Sequence, residues 1–129
     1  MISKIEGVLW DKADKYIVVG VGGIGFKVFT TSENIEIAEK GKAISLLTHL
    51  VVKEDALDLY GFTQQDELGF FEMLISISGI GPKTALNILN ISSIGALKMA
   101  ISSGDTSHLT KVSGIGQEEL QQNKDLFIQ

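Results

Sequence analysis

The sequence predicts an α+β protein of two domains, a five-stranded β-barrel over residues 1–62 followed by an all-α domain over residues 63–129. Three observations predict this arrangement. Short β-branched and aromatic runs fill the first half of the chain. The apolar spacing then changes to a helical period after Thr63. A Gly-Ile-Gly corner also occurs twice in the second half, each time between two apolar stretches.

Five short strands are expected in the first half, over residues 1–10, 17–19, 26–29, 44–52 and 57–62. Gly22-Gly23 separates the second strand from the third, where a tight hairpin needs positive φ. The polar segment 32–42 is expected to form a helical turn and then a turn at Gly41. Five strands with one longer connection predict a Greek-key barrel of the OB type. A plain meander fits the same pattern nearly as well.

Residues 20–25 match the G-x-G-x-x-G pattern of a dinucleotide-binding turn. That site requires a helix directly after the glycines, with its N-terminus facing the pyrophosphate. The segment that follows, 26–31, alternates between apolar and polar residues and is rich in β-formers. We therefore expect a β-hairpin here and no nucleotide site.

The composition excludes several classes of protein. With 44% apolar and 21% charged residues among 129, the chain is expected to fold as a soluble protein. No apolar run approaches the roughly 20 residues of a membrane span, and the N-terminus lacks the pattern of a signal peptide. The absence of cysteine excludes disulfides and thiolate metal sites. Since the sequence has neither a phosphate-binding loop nor a metal cluster nor a nucleophile pair, we expect no enzyme activity and no cofactor.

The charge balance restricts how the chain might bind nucleic acid. All 11 basic residues are lysines, and 16 acidic residues bring the net charge to −5. A protein that binds nucleic acid through its overall field should be basic. If this one binds DNA, it has to use a local site, and backbone N–H groups are the expected donors.

The first Gly-Ile-Gly corner, Gly79 to Gly81, is followed by Pro82, Lys83 and Thr84 and has the chemistry of a phosphate site. Glycines let the main chain turn tightly and approach a ligand closely. Proline suits the first position of the next helix, whose N-terminal N–H groups attract anions. Lys83 adds a positive charge, while Ile80 is expected to pack between the helices. We predict that this corner holds DNA phosphates without reading bases.

The second corner, Gly114-Ile115-Gly116, repeats the pattern 35 residues later. Two copies favour DNA binding over a simple connection between helices. However, Glu118 stands where the first copy has Lys83. It either caps a helix only, or marks a corner that binds phosphate weakly through its N–H groups. The sequence does not decide between these two interpretations.

Taken together, these segments resemble the RuvA family, the Holliday-junction-binding subunits of the bacterial branch-migration complex. The resemblance rests on Met1-Ile2 with Gly7 and on residues 21–26, 48–56, 59–62 and 79–85. It implies an OB-like barrel followed by two helix-hairpin-helix motifs. It also implies a homotetramer, or an octamer, that binds an open four-way junction in DNA recombination and repair in the cytoplasm. Two partners are implied as well, the RuvB motor and the RuvC resolvase.

The resemblance also assigns a role to Glu54 and Asp55, which match an acidic pin near the centre of the family's tetramer. Without the resemblance, these two residues would be interpreted as a solvated loop. Family members continue to a third domain that contacts RuvB, whereas this sequence stops at Gln129. Either the sequence is truncated or the protein lacks that contact.

Two other functions remain open at this stage. The first is an oligomeric protein-interaction module that has lost strong DNA binding, which the acidic charge favours. The second is a barrel that binds single strands. It is disfavoured because the sequence shows no basic groove with interleaved aromatic residues.

Overall fold

The computed structural model describes residues 1–91, 94–96 and 99 of the chain. Two compact units are distinguished, Met1–Leu68 and Gly69–Gln129. The first unit contains all the strands of the described residues. The second contains the corner between two helices on which the functional argument depends.

Five strands form a closed barrel in the order β1-β2-β3-β5-β4. They are β1 (Lys4–Lys12), β2 (Tyr16–Val21), β3 (Ile24–Phe29), β4 (Ala43–Val52) and β5 (Leu57–Phe62). All neighbouring strands are antiparallel except β3 and β5, which pair in parallel with Val28 opposite Leu59. A meander would have no such parallel pair, so the structure confirms the OB-type barrel.

Alternating residues of the strands fill the interior of the barrel. Val19, Ile17 and Val28 are fully buried, and their neighbours along β2 and β3 point to the other face. Burying each such side chain contributes about 1.5–3 kcal/mol to folding. The core consists of Ile5, Leu9, Ile17, Val19, Val28, Ile35, Leu46 and Leu59.

The hairpin between β2 and β3 confirms the interpretation of the glycine pattern at residues 20–25. Gly22 and Gly23 adopt φ of 58° and 84°, which residues with a Cβ rarely adopt. A strand follows these glycines, and Val21 pairs with Ile24 across the turn. The helix that a dinucleotide site requires is replaced by β3.

The connection between β3 and β4 contains the predicted helical turn, α1 (Ser32–Ile37). The Thr31 hydroxyl accepts a hydrogen bond of 3.2 Å from the Asn34 amide and so caps the helix. Asn34 is buried and donates from its side chain to the Thr30 hydroxyl at 3.1 Å. Gly41 then reverses the chain at φ 83°, as its position predicted.

Two helices follow the barrel strands, α2 (Gln65–Ile75) and α3 (Pro82–Ile91). Residues 76–81 connect the two helices. Within the second unit, the buried residues are Phe70, Phe71, Leu74, Ile77, Ile80, Ala85, Leu86 and Ile88. Those within the helices recur at helical spacing, so one face of each helix is buried, while Ile77 and Ile80 are buried side chains of the connection between the helices.

Glu67 lies half-buried at the start of α2, and burial raises the pKa of its carboxyl above the ordinary value of 4.5. Hydrogen bonds from the Thr63 hydroxyl and the Gln64 amide, both at 3.3 Å, oppose that rise. Because the pKa is higher in the folded state, the folded protein binds more protons than the unfolded chain. The stability therefore falls as the pH rises from 4.5 through the raised pKa.

We expect Glu67→Gln to raise the melting temperature by a few degrees at about pH 7, where the carboxylate is charged. Glutamine removes the charge but keeps an oxygen that accepts from the Gln64 amide. The gain should largely disappear at about pH 4, because Glu67 is then mostly neutral in both states. Thermal denaturation followed by circular dichroism at the two pH values measures it. Asp66→Asn, at an exposed acid of the same turn, is the control. An equal gain from that variant would assign the effect to the removal of one negative charge from an acidic protein and not to burial.

Candidate functional site

The glycine corner, residues 79–84, begins where α2 ends in a short series of turns. The amides of Ser76 and Ile77 donate to the carbonyls of Met73 and Leu74 at 3.2 and 3.1 Å, which satisfies the end of α2. Gly79 then reverses the chain at φ 91°. The helix α3 starts at Pro82, and its first hydrogen bond runs from the Ala85 amide to the Gly81 carbonyl at 2.9 Å.

The backbone amides of the corner are available to a ligand. Among the described residues, the amides of Gly79, Gly81, Lys83 and Thr84 donate no hydrogen bond. Gly79, Gly81 and Lys83 are exposed, and Thr84 is half-exposed. Free N–H groups at the start of a ten-residue helix give it a partial positive charge of about half a unit. This is an anion-binding arrangement.

Ile80 was predicted among the phosphate contacts, but in the structure it offers a phosphate neither its side chain nor its amide. Its side chain is only 5% exposed, and its amide donates to the Ile77 carbonyl at 3.1 Å. The sequence pattern grouped it with the two glycines, but its apolar side chain is more stable in the core. Ile80 therefore holds the corner in shape, as its predicted position between the helices implied, and the glycines on either side carry the open amides.

The two glycines of the corner differ in what they do. Gly79 has positive φ, so the turn itself requires a glycine. Gly81 is not among the described glycines of positive φ, and a Cβ built on it would meet nothing within 4 Å. The fold therefore leaves Gly81 free to take a side chain. Because Gly81 has no side chain, a ligand can approach the main chain closely at this residue.

The charge around the corner differs in sign from that of the whole chain. From residue 73 to residue 97, Lys83 is the only charged residue in the sequence. Its side chain is exposed at the N-terminal end of α3, beside the open amides. The electrostatic interaction of surface charges is screened over about 8 Å at physiological salt. The corner thus carries a positive side chain and open amides although the net charge is −5.

The acidic tip, Glu54 and Asp55, forms the turn between β4 and β5. The Lys53 amide donates to the Ala56 carbonyl at 2.8 Å and closes the turn, and the paired residues Val52 and Leu57 precede and follow it. Both acidic residues are exposed. Within residues 1–91, neither carboxylate makes an ion pair. The tip is therefore a concentrated negative charge at the end of a hairpin.

The second corner, with Gly114, Ile115 and Gly116, lies outside the described residues, as does Glu118. In the part of the chain that the structure covers, no cluster of side chains suits a metal ion. No helix there is long and apolar enough to cross a membrane.

One surface of the barrel was missed by the sequence analysis. Trp10, Tyr16, Lys27 and Phe29 come from three different strands and lie on the outward side of β1, β2 and β3. The Lys27 ammonium lies 4.5 Å from the centre of the Tyr16 ring. One lysine thus lies among aromatic side chains on this surface, which is less than the basic groove that the sequence analysis looked for. Only the register of the strands brings Trp10 and Tyr16 to the same surface as Lys27 and Phe29.

Both halves of the chain match known protein families. Residues 1–61 match the family described as RuvA N terminal domain, and residues 71–122 match the SAM-like helix-hairpin-helix tandem. The barrel and the glycine corner that we describe lie in these two matched ranges in the same order. The chain belongs to the RuvA family.

RuvA proteins from distant bacteria are similar to nearly the whole chain. The Holliday junction branch migration complex subunit RuvA of Methylibium petroleiphilum is 41% identical over 119 residues, which are 92% of this chain and 62% of that protein. The subunit of the same name from Acetivibrio thermocellus is 39% identical over 122 residues, 94% of this chain and 60% of that protein. The one from Thermoanaerobacter sp. strain X514 is 40% identical over 119 residues. The chain spans 60–64% of the length of these RuvA relatives.

Proposed function

We propose that the chain binds four-way (Holliday) DNA junctions by their structure, without reading their sequence. The observation that carries the proposal is the glycine corner, in which the amides of Gly79, Gly81, Lys83 and Thr84 have no acceptor in the described residues. The names of the relatives, each a Holliday junction branch migration complex subunit, support the choice of DNA substrate.

The corner binds one phosphate of a duplex arm by two kinds of interaction. The open amides donate to phosphate oxygens, and the partial positive charge of α3 favours the anion. The exposed Lys83 adds a mobile ammonium at the same end of the helix. All of these groups contact phosphates and not base edges in this proposal, so they position the DNA without specifying its sequence. Gly114, Ile115 and Gly116 supply a second corner of the same kind in this proposal.

The acidic tip gives the preference for junctions over duplexes. Glu54 and Asp55 are exposed at the end of a hairpin, where negative charge repels phosphates that approach closely. At the centre of an open junction, such a charge directs the exchanging strands outward. On a continuous duplex, it only opposes binding.

The proposed assembly follows the family expectation. Four copies associate through their barrel domains, residues 1–62, or eight copies form two such layers, and the helical domains, residues 63–129, hold the arms. The subunit is not catalytic and acts in the cytoplasm. A RuvB motor supplies ATP hydrolysis and a RuvC resolvase cuts the junction. Two features support this division of roles. The sequence lacks a phosphate-binding loop, and the relatives are named as subunits of a complex.

A titration of a four-way junction and of a linear duplex of the same sequence tests the proposal. We expect at least about tenfold tighter binding of the junction, and a steep fall in both affinities between about 50 and 200 mM salt. Equal affinities would overturn the assignment to junctions. No binding of either DNA at low salt by a folded oligomer would instead favour a protein-interaction module, which the net charge of −5 leaves open.

The same titration with the double variant Glu54→Gln/Asp55→Asn tests the tip. The neutral tip should bind the duplex more tightly than the parent does, because the repulsion is removed. The ratio of junction to duplex affinity should therefore fall. An unchanged ratio would leave the tip without a part in the preference, while the assignment of the glycine corner would stand.

A further inference from the structure

The outward side of β1, β2 and β3 carries aromatic and basic residues in a regular order. The pairs across β2 and β3 are Tyr16 with Phe29, Val18 with Lys27, and Gly20 with Gly25. Because Ile17, Val19 and Val28 are buried in the core, these pairs point to the outside of the barrel. We call this surface, with Trp10 from β1, the aromatic face.

Trp10 lies flat on two glycines. A Cβ on Gly20 would stand 1.8 Å from Cε2 of the indole, and a Cβ on Gly25 would stand 3.1 Å from Cζ3. The two glycines thus leave room for the ring to pack against the main chain. This explains why Gly20 and Gly25 are glycines, although the hairpin turn requires glycine only at residues 22 and 23. The indole is still 47% exposed, so its outer side is open to a ligand.

The other end of the face holds a second aromatic group. The Tyr16 and Phe29 rings meet edge to face with their centroids 5.9 Å apart, and Phe29 stacks on Tyr60 at 5.3 Å. Lys27, in the row between Tyr16 and the two glycines, covers the Tyr16 ring. At a rise of about 3.3 Å per residue, the Tyr16 row and the row of the two glycines are about 13 Å apart along the strand.

Two acidic side chains on this side of the barrel are already paired with lysines, whereas the charge of Asp58 acts at the far end of the face, on Tyr60. Glu6 is paired with Lys4 at 3.0 Å, and Asp11 is paired with Lys40 at 3.3 Å. In the described residues, Lys27 makes no ion pair, and its ammonium lies over the Tyr16 ring. A second copy docked here face to face, through this same surface, would bring two such ammonium groups together, which is unfavourable. A phosphate placed between two base-stacking rings would satisfy the ammonium.

We propose that the aromatic face binds single-stranded DNA, with one base stacked on Trp10 and the adjoining phosphate held by Lys27. The strand 2–3 face of OB-type barrels is a general place for oligonucleotides, and base–aromatic stacking tolerates any sequence. The site is separate from the glycine corner and does not depend on it. It provides a place for a strand that has been separated from its duplex.

Trp10 is the only tryptophan of the chain, so its fluorescence reports on this face alone. We titrate the full chain with a thymidine oligonucleotide of roughly 10 nucleotides at low salt. The expected result is saturable quenching of the tryptophan emission, with an affinity that falls as salt is added. An absence of quenching at low salt would overturn the proposal. So would an emission maximum that moves to the red on dilution, because it would show that a second copy covers the indole.

Two pairs of variants separate specific contacts from general effects. Lys27→Gln should reduce the slope of log affinity against log salt by about 0.7, the value for one phosphate on a single strand. Lys4→Gln, at the lysine paired with Glu6, should leave that slope unchanged. With a labelled oligonucleotide, Trp10→Ala should weaken binding by roughly tenfold or more, whereas Trp10→Phe should retain most of it. Equal slopes for Lys27→Gln and the parent, or equal losses for both Trp10 variants, would contradict the site.

The experiment also separates this site from the junction site. Lys83→Glu should leave the tryptophan quenching unchanged, and Trp10→Ala should leave the affinity for a four-way junction unchanged. If Lys83→Glu abolished the quenching, the single strand would be bound at the glycine corner, and the aromatic face would not be its site.

Discussion

Replacing Lys83 by glutamate is expected to weaken binding of a four-way junction by roughly 100-fold at low salt. The change removes the only positive side chain between residues 73 and 97 and places a carboxylate beside the open amides of the corner. The partial positive charge of the α3 terminus would then be offset by a full negative charge. In a tetramer the loss occurs at every arm, so the effect should exceed that of one surface contact.

The measurement is a gel-shift titration of the variant and the parent at two salt concentrations. Lys42→Glu is the matched control, because it makes the same change of charge at an exposed lysine of the barrel. Since both lysines are exposed, both variants should keep the circular dichroism spectrum of the parent, and neither should have a lower melting temperature. Glu118→Lys, in the second corner, should strengthen binding. If Lys83→Glu binds like the parent, the corner is not the phosphate site.

The acidic net charge does not contradict this proposal, because no acidic residue lies near Lys83 in the sequence. The first 62 residues carry nine acids and seven lysines, and two of the acids form the exposed tip. The segment around the corner, in contrast, has no acidic residue from position 73 to position 97. Salt screens the distant acids more strongly than it screens a lysine in contact with a phosphate.

Local features of the fold could be predicted from the sequence because the residues that determine them are adjacent. Gly22-Gly23 predicted a hairpin with positive φ, and the structure confirms both angles. Pro82 after the Gly-Ile-Gly corner predicted the start of a helix, and α3 starts at that residue. In each case the conformational preference of one or two residues is sufficient.

Features that depend on pairing between distant segments could not be predicted in the same way. The sequence left a meander and an OB-type barrel open, and only the parallel pair of β3 and β5 decides between them. The aromatic face was missed for the same reason, since Trp10 meets Gly20 and Gly25 through the register of three strands. The different roles of Gly79 and Gly81 were also hidden, because the same residue type serves a turn in one position and a ligand approach in the other.

That difference predicts opposite results for two alanine variants of the corner. Gly79→Ala should lower the free energy of unfolding by about 1–2 kcal/mol, because φ is 91° at this residue and a Cβ is strained there. Gly81→Ala should leave stability equal or slightly higher, because its Cβ would meet nothing within 4 Å. Its methyl group would, however, stand where a phosphate approaches the main chain. We therefore expect Gly81→Ala to reduce junction affinity by roughly tenfold or more, with no loss of stability.

Gly69→Ala in α2 is the control for both variants. Its Cβ would also meet nothing within 4 Å, so it adds the same methyl group away from the corner. It should raise stability by up to about 1 kcal/mol, because alanine favours a helix over glycine, and it should leave junction affinity unchanged. Thermal denaturation and junction titration are measured on all three variants. Should Gly81→Ala bind the junction as well as Gly69→Ala does, the main chain at Gly81 does not contact the phosphate, and the open amides of Lys83 and Thr84 would remain as the donors to test.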